Sequence, residues 1–132
     1  MNIKLYLTAL GVFLTIDMVW LTVIAKGLYA KYLGYLMTKT PNLAAAGIFY
    51  LLFVVGLVVF VLEPAMEKNS VTEALWRGAL LGLIAYATYD LTNLATIKDW
   101  PILITVVDLI WGTVLSGSVA VISYLVGKRL GL

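Results

Sequence analysis

The chain contains neither cysteine nor histidine. Without cysteine there is no disulfide, no thiolate nucleophile and no iron–sulfur ligation; without histidine there is no imidazole base and no histidine-ligated haem or di-iron centre. The histidine-box desaturases and hydroxylases are thereby excluded. Charge is scarce as well: Asp, Glu, Lys and Arg make up 12% of 132 residues. The net charge of +2 is too small, and the basic residues too scattered, to mark a nucleic-acid partner. Any chemistry performed by the chain itself must use carboxylates, phenols, hydroxyls, amides or indoles. No cofactor is expected. No metal site is expected either, because the acids within the hydrophobic segments are single and separate, without the DxxD-type pairing that would hold a divalent cation.

What is abundant is hydrocarbon. Hydrophobic residues form 63% of the chain and its mean hydropathy is +1.03, which describes an integral membrane protein. Four apolar segments predict an all-α, four-helix transmembrane bundle in a single domain, residues 1–132. The helices are expected at about 3–25, 43–62, 71–97 and 101–126, each long enough to span at about 1.5 Å per residue. The first apolar run lacks a convincing cleavage site and reads as a retained helix. Thr40-Pro41 resembles a helix start, Glu63-Pro64 a helix end and Ser70-Val71-Thr72-Glu73 a capping box, while Asp99 is the expected cap of the fourth helix. Between the first two spans, the interfacial segment 26–40 interleaves Lys26, Lys31 and Lys39 with Tyr29, Tyr32 and Tyr35. That mixture suits a headgroup-layer belt, with a lid over a site as the alternative. Gly78/Gly82 and Gly112/Ser116/Ala120 are small-residue faces that permit close helix approach, and a homodimer built on either is one expectation.

Four spans place both termini on one side. A cytoplasmic N-terminus puts Lys4, Lys68, Arg77, Lys128 and Arg129 inside and Lys26, Lys31, Lys39 and Lys98 outside, so lysine and arginine counting favours N-in, C-in.

The third segment carries Tyr86, Asp90 and Asn93 at helical spacing, a polar face where the solvent should be lipid. The first and fourth carry Asp17 and Asp108. An aspartate near the bilayer centre costs about 2.5–3.5 kcal/mol on insertion scales, and such residues usually face a bundle interior or a wet cavity. Helix directions put all three acids in the same half of the membrane, where they are expected to converge on one pocket. No lysine or arginine lies among them. The acids must be protonated, hydrogen-bonded to neutral donors or balanced by a bound cation, and Tyr86, Tyr89, Asn93, Trp20 and Trp111 supply neutral donors. Asp17-Met18-Val19-Trp20-Leu21-Thr22-Val23 is echoed by Asp108-Leu109-Ile110-Trp111-Gly112-Thr113-Val114, and each indole is expected beside the acid one turn before it.

The candidate ligand site is therefore Asp17, Trp20, Tyr86, Tyr89, Asp90, Asn93, Asp108 and Trp111, expected to take a small amphiphilic or lipid-derived molecule. The residues name no reaction. Catalysis, if present, would be acid–base chemistry on a lipid, with an aspartate as acid and a tyrosine as its partner. Two other classes fit the sequence: a proton- or cation-coupled transporter acting as a homodimer, and a structural subunit whose polar groups are interhelical glue. Glue is worth about 0.6 kcal/mol per contact, which seldom offsets the cost of an intramembrane acid.

Several stretches carry a family resemblance: Thr15-Ile16-Asp17-Met18-Val19-Trp20-Leu21, Phe49-Tyr50-Leu51-Leu52, Tyr86 through Thr96, Trp100-Pro101, and Asp108-Leu109-Ile110-Trp111-Gly112-Thr113. In order along nearly the whole chain, they resemble the DUF2177 family of small bacterial inner-membrane proteins. The resemblance implies four membrane helices and carries no activity with it.

Overall fold

The structure, a computed structural model, describes every residue from Met1 to Leu132 and is helical throughout, without a strand. Helix α1 (Ile3–Val19) opens on Asn2, whose side chain accepts from the Lys4 and Leu5 amides, and runs on through a π-helical turn, Trp20–Ile24. A short helix α2 (Lys26–Leu33) follows. Helix α3 (Leu43–Leu57) passes through a second π-helical turn, Val58–Leu62, into α4 (Glu63–Glu67). Helix α5 spans Val71–Thr96 and α6 spans Ile102–Arg129. The continuous helices are thus five: the four long ones expected and the short α2, which falls in the segment 26–40 expected to be interfacial.

Three of them, Ile3–Ile24, Leu43–Glu67 and Ile102–Arg129, are long and apolar enough to cross a membrane. Helix α5 matches them in length, but Tyr86, Thr88, Tyr89, Asp90, Thr92 and Asn93 interrupt its hydrocarbon and keep it out of that set. The face that makes α5 interesting is the one that makes it a poor span by composition.

Three local expectations are corrected. Pro64 does not end the second long helix; the preceding π turn widens the hydrogen-bond ladder, so a residue with no N–H is carried without breaking the rod. Asn42 caps α3 by accepting from the Ala45 amide, in place of Thr40, because Pro41 holds the chain extended for one residue more. Asp99 caps nothing: it sits at a positive φ of 61° in the turn, and α6 starts after Pro101 without a side-chain cap. Ser70 does accept from the Glu73 amide at 3.2 Å, as a capping box requires.

Helices α5 and α6 form the most extensive pairing in the molecule. Gly78 lies against Ser116, Gly117 and Ala120, and Gly82 against Gly112 and Ser116, so closely that a Cβ on either glycine would collide. The two small-residue faces are used on each other within one chain. Neither is free to hold a second copy.

The bundle has two unlike ends. At one, Leu5 and Met66 reach Gly127, and a continuous apolar core builds up from Leu5, Ala9 and Phe13 of α1, Val54 to Leu62 of the second rod, and Leu115, Val119 and Ala120 of α6. At the other, the Tyr35 hydroxyl donates to the Asp99 carbonyl at 2.8 Å, tying the α2–α3 connection to the α5–α6 turn. Late α1, early α3, late α5 and early α6 meet there, and they carry all the intramembrane acids.

Candidate functional site

Asp17, Asp90 and Asp108 are all buried. Their partners differ. Asp17 Oδ2 accepts from the Tyr50 hydroxyl at 2.8 Å across the α1–α3 contact. Asp108 Oδ1 accepts from the Tyr29 hydroxyl at 2.5 Å, and the Trp20 indole N–H donates in turn to that hydroxyl at 3.1 Å. Burial and then the hydrogen bond to Asp108 push the Tyr29 phenol above its ordinary pKa, so it remains a donor at neutral pH. Asp90 is fully buried and neither of its oxygens meets a donor. The Asp108 carboxyl lies within hydrogen-bond reach of it, so that the two acids form a pair that one shared proton can bridge.

The expectation that three acids share one pocket is corrected to a pair and a singleton. Asp90 and Asp108 line one cavity of about 460 Å³, while Asp17 does not reach it. The reason is Tyr86, whose neighbours include all three acids and Tyr50. Its ring packs against Gly112, filling the space a larger residue would take. It stands between the Asp17–Tyr50 pair and the cavity.

The indoles also depart from the expected pattern. Trp20 and Trp111 stack face to face, with centroids 4.3 Å apart and planes 9° from parallel. Trp20 then serves the hydrogen-bond chain that ends on Asp108, and Trp111 neighbours Asp17, its own Nε1 buried without a completed hydrogen bond. Each indole attends the acid of the other helix. The π turn Trp20–Ile24 connects Trp20 to α2, which presents Tyr29 to the Trp20 indole.

Of the sequence-derived candidates, Tyr86, Tyr89, Asp90 and Asp108 line the cavity; Trp20 and Trp111 buttress it; Asp17 lies behind Tyr86. Asn93 does not line it, and its Nδ2 is buried without a partner. Sequence reasoning missed Leu33, Met37 and Phe49 as cavity walls, and Tyr50 as the donor to Asp17. The segment expected as an aromatic belt sends Tyr29 inward to Asp108. Its signal was the odd tyrosine out: Tyr32 and Tyr35 stay near Lys31 and the Asp99 carbonyl. The Trp100 indole N–H donates to Thr105 Oγ1 at 3.0 Å, pinning the start of α6 beside the Asp90 turn.

The chain matches the model of a family described as a predicted membrane protein, DUF2177, over residues 2–125. It belongs to that family. No curated protein and no solved structure matches it. For this DUF2177 protein the geometry of the cavity is therefore the basis on which function can be argued.

Proposed function

We propose that the cavity binds a small amphiphilic or lipid-derived molecule, its head at Asp90 and Asp108 and its tail along Leu33, Met37 and Phe49, in a protein of the bacterial inner membrane with both termini cytoplasmic. The observation that carries this is a polarity gradient. The buried end of the cavity is a fully enclosed carboxyl group without a donor, and its rim is exposed hydrocarbon, with Met37, Phe49 and Tyr89 all open. A volume of about 460 Å³ lies within the range of small-molecule sites. A buried acceptor left unmatched costs about 1–3 kcal/mol, so a donor-bearing head has a driving force waiting for it. The transporter alternative is weakened by the α5–α6 seam, which occupies both faces on which its dimer was to form.

Mass spectrometry of the lipid extract of the purified protein tests the reading. A specific amphiphile at about one per chain is expected from the wild type and not from Asp90→Asn. Bulk phospholipid alone from both would overturn it.

A further inference from the structure

We infer that the head recognised in this cavity is a primary ammonium, so that the ligand is an amine-headed single-chain amphiphile; this rests on the amphiphile reading above. The argument is a count of unmatched acceptors. Asp90 Oδ1 and Oδ2 are buried and receive no hydrogen bond. Asp108 receives its hydrogen bond from Tyr29 on Oδ1, no donor meets its Oδ2, and both acids line the cavity. Three acceptor atoms of two carboxyl groups thus share one end of one cavity. An alkylammonium carries three N–H donors on one positively charged atom, a match in number, in hydrogen-bond polarity and in sign.

No lysine or arginine lines the cavity; Lys26, Lys31, Lys39 and Lys98 belong to that end of the bundle and are exposed, outside its wall. Both of the chain's ion pairs, Lys68–Glu73 and Arg77–Glu73, are on the other end of α5. The Trp20–Tyr29–Asp108 chain of donors stabilises negative charge on Asp108 without neutralising it. Other head chemistries fit less well. A carboxylate or phosphate head would bring like charge to the acids in a low-dielectric site. A hydroxyl head offers one donor for three acceptors. A quaternary ammonium brings charge and no N–H at all.

The test uses the wild-type protein in a neutral maltoside detergent and four C12 probes: dodecylamine, dodecyltrimethylammonium, dodecanol and dodecanoate. Native mass spectrometry reads the concentration at which a one-to-one adduct half-saturates. Dodecylamine is expected to half-saturate at about tenfold lower concentration than any of the others, the effect of one well-placed charged contact. In Asp90→Asn that preference should fall to within about threefold. Equal or tighter binding of dodecanol or dodecanoate would overturn the ammonium assignment and leave the amphiphile cavity standing. Equal binding of dodecyltrimethylammonium would show that charge is read without N–H donation, which also overturns it, as would an undiminished preference in Asp90→Asn. If no probe gives a saturable one-to-one adduct, both this inference and the reading beneath it fail. The head-group series needs no substitution, so a variant that did not fold would leave the result decided.

Discussion

The two ends of this bundle solve opposite problems with the same helices. At the Leu5–Met66–Gly127 end, Phe13, Val54, Leu57, Val58, Leu62, Leu115 and Val119 are fully enclosed, and glycine faces bring α5 and α6 into backbone contact. At the Tyr35–Asp99 end the same rods carry three acids, two stacked indoles and a cavity. The packed end carries no buried acid, and its buried polar groups are the small hydroxyls of Ser116 and Ser123. The polar end is tied by hydrogen bonds of its own, Tyr50 to Asp17, Tyr29 to Asp108 and Tyr35 to the Asp99 carbonyl, and one of its acids is left without an N–H or hydroxyl donor. If the cavity binds as proposed, stability and function are separated along the bundle axis, which is a claim that substitutions can break.

The largest effect should come from the packed end. Leu57→Ala removes a fully buried side chain and is expected to cost about 2–5 kcal/mol, whereas Leu33→Ala, on the cavity wall, should cost under about 1 kcal/mol because a space already lies beside it. Unfolding in mixed micelles by titration with a denaturing detergent measures both. Equal losses would mean that the cavity wall is as tightly packed as the core, and the contrast between the ends would collapse. Next in size is Gly82→Leu, whose side chain would enter Gly112 and Ser116; overpacking of this kind costs about 1–3 kcal/mol. The same variant should also loosen ligand binding, since Asp90 is two turns further along the same helix and Asp108 one turn before Gly112.

Within the polar end the acids themselves should differ. Tyr50→Phe leaves Asp17 buried without its donor and is expected to cost about 1–3 kcal/mol. Asp90→Asn removes no N–H or hydroxyl donor and places an amide beside Asp108, so it should leave stability unchanged or slightly raised, while abolishing retention of the ligand. Thermal unfolding of the two variants, with and without dodecylamine, separates them. A large loss for Asp90→Asn in the absence of ligand would place that carboxyl among the structural ones.

The architecture was legible because hydrocarbon run length is a local property; of the helix-end signals the Ser70 cap held, while those at Thr40, Pro64 and Asp99 did not. The acids were legible too, because each is an anomaly in its own segment. The partners were not legible. Tyr50 sits in a run that reads as plain scaffold, and nothing local says that its hydroxyl meets Asp17 on another helix. The crossed indoles depend on two helices meeting at a given rotation, which no residue type announces. Leu33, Met37 and Phe49 are cavity walls only by virtue of where α2 folds back, since each is an ordinary apolar residue in sequence. Spacing identified what must be explained, and tertiary contact supplied the explanation.

The smallest effect concerns an acid outside the hydrocarbon. Glu73, in the first turn of α5, accepts from Arg77 at 2.6 Å and lies 3.5 Å from Lys68. Here the carboxylate has cations, where the intramembrane acids have phenols or nothing. The Arg77 hydrogen bond holds the Glu73 carboxyl below its ordinary value of 4.5. A depressed folded-state pKa adds stability above the unfolded value and loses it as pH falls through the folded one. The wild type should therefore lose a small increment of stability on acidification below about pH 4.5, and Glu73→Gln should lack that increment at neutral pH and show less change across the same window. Added salt should shrink the difference, since exposed pairs are screened. Asp17 with Tyr50, enclosed among neutral groups, should show no such salt dependence. If salt affected both alike, the enclosure of the polar end would be refuted, and with it the idea that an unpartnered carboxyl there waits for a ligand in place of water.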